Sequence, residues 1–171
     1  IMGEFTDSGV LIRLAYQAMD SLGIDAQEVL QRIGMNQQQL MDKELRTPHS
    51  AQRLFWQTIE DVSGDPRIGL HLGEHIPVFK GQVLEYLFLS SSTFGDGLIR
   101  SLNYQRLLSD VVQASLEQDE RGIYLVDPTP RNAISHLTES VIIGVLTFFN
   151  YVTEGAFTTK EIHFTLTLIN I

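Results

Sequence analysis

The spacing of apolar residues first changes near Asp110, and that change limits the folds that this chain can adopt. Before Asp110, apolar residues recur every three or four positions, which is typical of helices with one buried face. After it, Val112 to Leu116 alternate apolar and polar side chains, which predicts a strand with one buried face. We therefore predict an α+β fold, in which a predominantly helical N-terminal part precedes a small antiparallel sheet.

Short capping signals mark the ends of the first helices. The apolar face that begins at Leu11 keeps a helical spacing until Gly23, which ends the helix. Asp25 predicts the N-cap of a second helix, with Glu28 at the spacing of a capping box. Asn36 predicts the start of a further short turn. The first third of the chain is therefore expected to contain several short, well-delimited helices.

Later helices are predicted from residues that favour a first helical turn. Pro48 suits the first turn of a helix whose cap is Thr47. Asp65 suits the cap of a helix that starts at the next residue. Two more helices are predicted at about 82–90 and 95–109 from their apolar spacing.

The C-terminal third predicts a hairpin, a long helix and one more strand. A polar loop ending in Gly122 separates residues 112–116 from the β-branched and aromatic run 123–126, as in an antiparallel hairpin. An apolar helix is predicted at about 132–153, and the alternation over 162–168 predicts a third strand. The hairpin, the long crossing helix and the third strand would form a small sheet with one face covered by helices.

The charge and composition of the chain indicate what it can bind and where it acts. The chain of 171 residues has a net charge of −9 and no cysteine. An acidic surface repels phosphate backbones, so this segment is not expected to bind DNA by itself. No apolar run is long enough to cross a membrane, and the lack of cysteine fits a cytoplasmic location. Residues 1–5 are a candidate expression remnant, and residues 6–171 are expected to form a single ligand-sensing and dimerisation domain.

One short motif suggests a metal site. His71, Glu74 and His75 form the pattern His-x-x-Glu-His, in which two histidines one helical turn apart bind zinc and the glutamate acts as a base. However, Gly73 weakens a helix at this position, and no downstream acidic helix supplies a third ligand. We therefore expect no metal and no cofactor, and a zinc hydrolase is kept only as a minor alternative.

Five residues with polar tips form the predicted effector site. They are Tyr86, Tyr104, Tyr124, Arg131 and His136. The first two are predicted on helices that face the sheet, the third on the hairpin, and the last two at the start of the long helix, where the helix dipole favours anions. A small ligand with a carboxylate would lie between the helices and the sheet. The alternative is that the tyrosines are core residues with satisfied hydroxyls and that the arginine is solvated.

The predicted helix at 132–153 is apolar on more than one side. Its apolar residues include Val141, Ile142, Val145 and Phe148. Such a helix is either buried all round or contacts a partner. Homodimerisation through these four residues is the functional interpretation, and burial in the core is the alternative.

Two stretches of the sequence carry a resemblance to a known family. Residues 63–74 read Ser-Gly-Asp-Pro-Arg-Ile-Gly-Leu-His-Leu-Gly-Glu, and residues 91–98 read Ser-Ser-Thr-Phe-Gly-Asp-Gly-Leu. In this order, and with the spacing between them, they resemble the N-terminal domain of AraC/XylS-type bacterial transcription regulators. The resemblance is to the branch that contains regulators of ornithine and arginine use, and it extends over roughly residues 8–168.

The resemblance implies the sensing and dimerising part of a transcription regulator, and not an enzyme. A small organic effector, such as an amino acid or an organic or fatty acid, would bind to a homodimer of the chain. DNA would be contacted only through a C-terminal helix-turn-helix domain that these residues do not include. A dimerisation module without an effector is the main alternative.

Overall fold

The computed structural model describes residues 4–76, 81–128 and 134–163. Within these ranges the chain forms eight α-helices and two small antiparallel sheets, which confirms the α+β class. The helices are α1 (Val10–Ser21), α2 (Ala26–Arg32), α3 (Gln37–Leu40), α4 (Ala51–Ser63), α5 (Ile68–Gly73), α6 (Val83–Leu89), α7 (Phe94–Asn103) and α8 (Ser135–Val152). The strands are β1 (Thr6–Ser8), β2 (Arg46–Pro48), β3 (Ser115–Asp119) and β4 (Gly122–Val126), and a 3-10 turn spans Gln105–Leu107.

The main apolar core lies among α1, α2, α4 and α5. Met19, Val29, Ile59 and Leu72 are fully buried in it. These side chains come from the predicted apolar faces, because residues three or four apart lie on the same side of a helix. Helices as short as these are marginal in isolation, so burial of their apolar faces is what stabilises them.

Two of the predicted helix starts are confirmed at the level of hydrogen bonds. The side chain of Asp25 accepts the backbone N–H of Glu28 at 2.9 Å, at the start of α2. Asn36 and Gln39 bond each other's backbone N–H groups in a capping box at the start of α3. The Glu28 carboxylate pairs with Arg32 one turn further on. Side-chain acceptors near a helix start therefore located these two helices correctly.

The prediction that Pro48 lies in the first turn of a helix capped by Thr47 is wrong. Both residues belong to β2, where Pro48 pairs with Thr6, and α4 begins at Ala51. The fixed φ of proline suits an edge strand as well as a first helical turn, so the residue alone does not distinguish them. The sheet of β1 and β2 was not predicted, because strands of three residues carry too little alternation to be recognised.

Buried and half-buried polar groups tie β1 to the rest of the fold. The Asp7 carboxylate is fully buried, accepts the Ser109 hydroxyl at 2.5 Å and lies 2.8 Å from His49 Nδ1. Next to it, the Thr6 hydroxyl and backbone N–H both donate to Asp110. These two donors lower the pKa of Asp110. Strand β1 is thus bonded to residues about a hundred positions away in the sequence.

The hairpin forms where it was predicted, but the prediction that helices cover one of its faces is wrong. Strands β3 and β4 pair from Ser115–Val126 to Asp119–Gly122. Ile123 and Leu125, on one face of β4, are exposed. Alternation predicts which side chains share a face, but it does not predict what packs against that face.

The third predicted strand, at 162–168, lies largely outside the described residues. The two described residues of that range, Ile162 and His163, are not in a strand. Helix α7 ends at Asn103, earlier than the predicted end at 109, and the 3-10 turn follows it.

Helix α8 lies within its predicted range and supports a second apolar cluster. Its Phe148 and Phe149 pack against Phe88 of α6, and the rings of Phe88 and Phe148 meet edge to face at 5.4 Å. Gly97 of α7 lies against the same ring, since a Cβ at that position would be 2.9 Å from Phe88. Among the described residues, no helix combines the length and apolar character needed to cross a bilayer.

Candidate functional site

His136, in the first turn of α8, lies between two glutamates. Its Nε2 is 2.9 Å from Glu60 Oε2, near the end of α4. Its Nδ1 is 3.6 Å from Glu139 Oε2, which is too far for a hydrogen bond. The ring is mostly buried, and both Nδ1 and the Glu139 oxygen are buried without a hydrogen-bond partner. The i,i+3 spacing on α8 therefore places His136 Nδ1 beside an unpaired carboxylate oxygen of Glu139.

Trp56 and Gln52 extend this polar surface along α4. The indole is 2% exposed, and its ring centroid is 6.3 Å from that of His136. Gln52 is 1% exposed and lies one turn before Trp56 on the same face of the helix. The indole N–H and both polar atoms of the Gln52 amide have no hydrogen-bond partner. Each buried polar group that stays unpaired costs about 1–3 kcal/mol.

We name these five residues of α4 and α8 the polar seam: Gln52, Trp56, Glu60, His136 and Glu139. Unpaired buried groups are rare in folded proteins, and where several occur together they indicate a bound small molecule or ordered water. The seam offers donors at Trp56 and Gln52 and an acceptor at Glu139. It is therefore suited to binding a small polar molecule.

Two glycines of α5 bring α8 close to this region. A Cβ on Gly69 would lie 2.5 Å from His136 Cα and 2.7 Å from Glu139 Oε2. A Cβ on Gly73 would lie 3.0 Å from Ser140 Cα. Only glycine fits at the first position without displacing the α8 backbone. Gly69 and Gly73 thus allow α5 to pack closely against α8, the helix that carries His136.

Of the predicted effector residues, only His136 belongs to the polar seam. Tyr86 and Tyr104 are 65% and 50% exposed, so they are not core residues and do not line an interior site. Tyr124 is half-buried on β4, and Arg131 lies outside the described residues. Contact of these four residues with an effector stays a prediction.

Four residues of the seam were missed from the sequence. Gln52, Trp56 and Glu60 follow one another at intervals of four, which places them on one face of α4. Gln52 lies on the same helix face as Trp56, and this could have indicated the site from the sequence. An uncharged polar group at a buried position needs hydrogen-bond partners. Glu139 lies three positions after His136 on α8, so the two side chains share one face of that helix.

The residues of the His-x-x-Glu-His motif make local contacts. His71 Nδ1 lies 2.5 Å from Asp65 Oδ2, and His75 Nδ1 donates to the backbone carbonyl of His71 at 3.0 Å. The hydrogen bond from His71, with a second one from the Arg67 backbone N–H, lowers the pKa of Asp65. In the described parts of the chain, no group of three His, Cys, Asp or Glu residues is placed to hold a metal ion.

The four predicted dimerisation residues differ in their exposure. Val141 is 37% exposed, while Ile142 and Val145 are half-buried. Phe148 is buried in the aromatic cluster of its own chain, so its side chain does not reach a second copy in this arrangement. Of these four residues, Val141 is the most exposed.

Two open surface grooves lie along α2. The larger, of about 780 Å³, runs from Asp25 to Gln37, and the smaller, of about 400 Å³, is lined by residues that include Ile24, Asp65 and His71. Both are lined by residues outside the polar seam. Because they are open to solvent, they exclude little water from a bound molecule, unlike the enclosed sites in which small ligands usually bind.

One family of known proteins matches most of this chain. The family model for the arabinose-binding domain of AraC transcription regulators, N-terminal, matches residues 23–167. No curated protein matches the chain. The matched range contains helices α2 to α8 and all of the polar seam. Domains of this kind sense ligands to regulate transcription and are not enzymes. The chain therefore belongs to the family of arabinose-binding N-terminal domains of AraC transcription regulators.

Proposed function

We propose that this chain binds a small organic effector and thereby controls the DNA-binding domain of an AraC-type regulator. The match to the family over residues 23–167 is the observation that carries this proposal. The net charge of −9 supports this proposal, because phosphates repel an acidic domain. DNA would then be contacted by another domain of the regulator. Such a regulator would act where its DNA is, in the cytoplasm.

Effector binding would act by shifting a population of conformations. A ligand favours whichever arrangement of the dimer or of the domains it binds more tightly. That shift would change how two DNA-binding domains reach paired half-sites. The family description names arabinose, whereas the motifs at 63–74 and 91–98 resemble regulators of ornithine and arginine use. Sugars and amino acids are therefore the first two effector classes to test, followed by organic and fatty acids.

Thermal unfolding against a ligand library tests the sensing function. A ligand that binds only the folded chain must raise the unfolding midpoint. At a hundred times its Kd, it adds about 2.7 kcal/mol to the free energy of unfolding. We expect a dose-dependent rise with one chemical class and no change with sodium chloride at matched ionic strength. A midpoint that stays constant for sugars, amino acids, organic acids and fatty acids would contradict the proposal.

We also propose that two copies pair through the exposed side of α8. Val141 supports this, because it exposes an apolar side chain on a helix that also buries Phe148 and Phe149 in its own chain. Ile142 and Val145 flank it and are only half-buried. If the ligand library has no effect and the chain is a stable dimer, dimerisation alone becomes the preferred function.

A further inference from the structure

We infer that His136 is a proton-sensitive link between α4 and α8, which makes the hold on the start of α8 depend on pH near neutrality. The imidazole Nε2 lies 2.9 Å from Glu60 of α4, and the ring centroid is 6.3 Å from that of Trp56. The contacts of these residues carry the link, and its use in regulation rests on the sensing function proposed above.

The contact with Glu60 decides which nitrogen of the neutral ring carries the proton. A carboxylate only accepts hydrogen bonds, so Nε2 of His136 must donate to Glu60 Oε2. In a neutral imidazole, the other nitrogen then has a lone pair and no proton. Nδ1 therefore faces Glu139 Oε2 as one acceptor faces another.

The geometry around Nδ1 agrees with this mismatch. The 3.6 Å between His136 Nδ1 and Glu139 Oε2 exceeds a hydrogen bond. Both atoms are buried, and neither has a hydrogen-bond partner. Such unpaired groups are rare in folded proteins, because each has lost its bonds to water. A proton on Nδ1 would pair both atoms at once, in a charge-assisted bond of about 2.7–2.9 Å.

Two carboxylates face the ring, one at each nitrogen. In the described residues, these are Glu60 from α4 and Glu139 from α8 itself. Helix α5 packs against the same turn through Gly69, and its His71 is bonded to Asp65. Burial of the ring and the partial positive charge of a helix start, about half a unit, both oppose a cation here. Against them stand two full negative charges in close contact.

Protonation would hold the start of α8 more firmly. The bond from His136 to Glu60 would become an ion pair between α8 and α4, and Nδ1 would gain a bond to Glu139, which lies against Gly69 of α5. Histidine changes its charge between about pH 5 and pH 8, so this stabilisation is present in mild acid and is lost as the pH rises. Val141, on the exposed side of α8, follows Glu139 by two positions.

Fluorescence of the folded chain tests the link. Trp56 is the only tryptophan in the sequence, and its ring is in contact with that of His136. An imidazolium quenches a neighbouring indole more strongly than a neutral imidazole does. We expect the emission to fall as the pH is lowered from about 8.5 to about 5.5, and His136→Gln to abolish the fall. An equal fall in His136→Gln, or no fall in the parent chain, would overturn the link.

Glu139→Gln distinguishes the charge from packing. The new amide can donate to the lone pair of neutral Nδ1, so at about pH 8.5 the variant should be at least as stable as the parent chain. At about pH 5.5 it lacks the charged bond, and its unfolding midpoint should lie about 2–4 °C below that of the parent. Differential scanning calorimetry at both pH values measures this. A difference in midpoint that does not change with pH would contradict the link.

Glu120→Gln is the matched control, because it makes the same change in charge at the exposed tip of the hairpin. Its midpoint should differ from that of the parent by the same amount at both pH values. If Glu139→Gln behaves like Glu120→Gln, the link is excluded. Neither assay contains an effector, so failure of the link leaves the sensing function standing. A ligand library without effect contradicts sensing and leaves the link standing.

Discussion

The side chain of Asp65 bonds to Arg67 and His71, at the start of α5 and just within it. Its carboxylate accepts the Arg67 backbone N–H at 2.9 Å through one oxygen, and His71 Nδ1 lies 2.5 Å from the other. The residue therefore stabilises the turn between α4 and the start of α5. Its prediction as the cap of a helix that starts at Pro66 is wrong, because α5 starts at Ile68, its N-cap is Arg67, and no side chain caps it.

The lowered pKa of Asp65 makes this turn sensitive to acid. Because the folded state lowers the pKa, ionised Asp65 stabilises the fold above the ordinary aspartate value of about 3.9, and this contribution is lost as the pH falls through the lower folded value. Asp65→Asn should therefore unfold more easily than the parent chain at pH 7, with the difference narrowing toward pH 3. Urea unfolding of both proteins at several pH values measures it. An equal difference at pH 7 and pH 3 would refute the role given to the charge.

Single residues also show how far a sequence predicts this site. His136 was found because its place at the start of a long helix is visible locally. Gln52 and Trp56 were visible as residues of one helix face, but their lack of partners is a property of the packed chain. Trp56 lies near His136 only because α8 packs against α4, and that contact is tertiary. Sequence patterns therefore predicted one side of the site, and the opposite side required the fold.

At the scale of elements, the contact between α5 and α8 has the tightest geometry described. It depends on Gly69 and Gly73, which face the α8 backbone near His136 and Ser140. Glycine lowers the helical propensity of a six-residue helix, yet the close approach allows α5 to bury Ile68 and Leu72 in the main core. The packing of α5 outweighs the low helical propensity of glycine. Gly73 therefore lies in a helix, although the sequence analysis predicts that it disfavours one.

Gly69→Ala should lower the free energy of unfolding by about 1–3 kcal/mol, because the new methyl group overlaps the α8 backbone, which cannot rotate away. Gly95→Ala is the control. It lies in α7, where the nearest atom to a new Cβ is 4.0 Å away, and it should gain about 0.5–1 kcal/mol. Chemical denaturation of both variants measures the two changes. A neutral or stabilising Gly69→Ala would show that α5 and α8 are further apart than described.

Element boundaries were predictable where a side chain bonds the backbone locally. Asn36 identified α3 although that helix has only four residues. Pro48 was misassigned because the φ angle of proline suits both an edge strand and a first helical turn. Only the pairing of β2 with β1, more than thirty-five positions earlier, distinguishes the two. Local chemistry therefore predicted helix starts better than it predicted strands whose partners are distant.

At the scale of the whole molecule, the described residues form two apolar clusters joined by α8. The main core includes Leu72 of α5, and the aromatic cluster includes Phe148 and Phe149 of α8. The sequence predicted a helical N-terminal part and a later hairpin, and both are found. It also predicted helices covering the hairpin, but Ile123 is left exposed, because no local pattern determines what packs on a sheet face.

The proposed dimer provides a prediction at this scale. Val141→Asp places a charge on the exposed side of α8 and should convert a dimer of the 19.3 kDa chain to a monomer, because an unpaired charge at the centre of an interface is unfavourable. Sedimentation equilibrium measures the mass. Asn150→Asp adds the same charge on the opposite side of α8, nine residues away, and should remain dimeric. Equal masses for the two variants would exclude this face as the interface.

The carboxylate of Asp7 has a consequence for the order of folding. Its partner Ser109 lies 102 residues further along the chain, and the neighbouring contact from Thr6 to Asp110 spans 104. During synthesis at about 5–20 residues per second, Thr6–Ser8 leaves the ribosome several seconds before either partner exists. The bonds from β1 to Ser109 and Asp110 therefore form only after α7 and its following turn have been synthesised. Until then, the antiparallel pairing with β2 is the sheet contact available to β1.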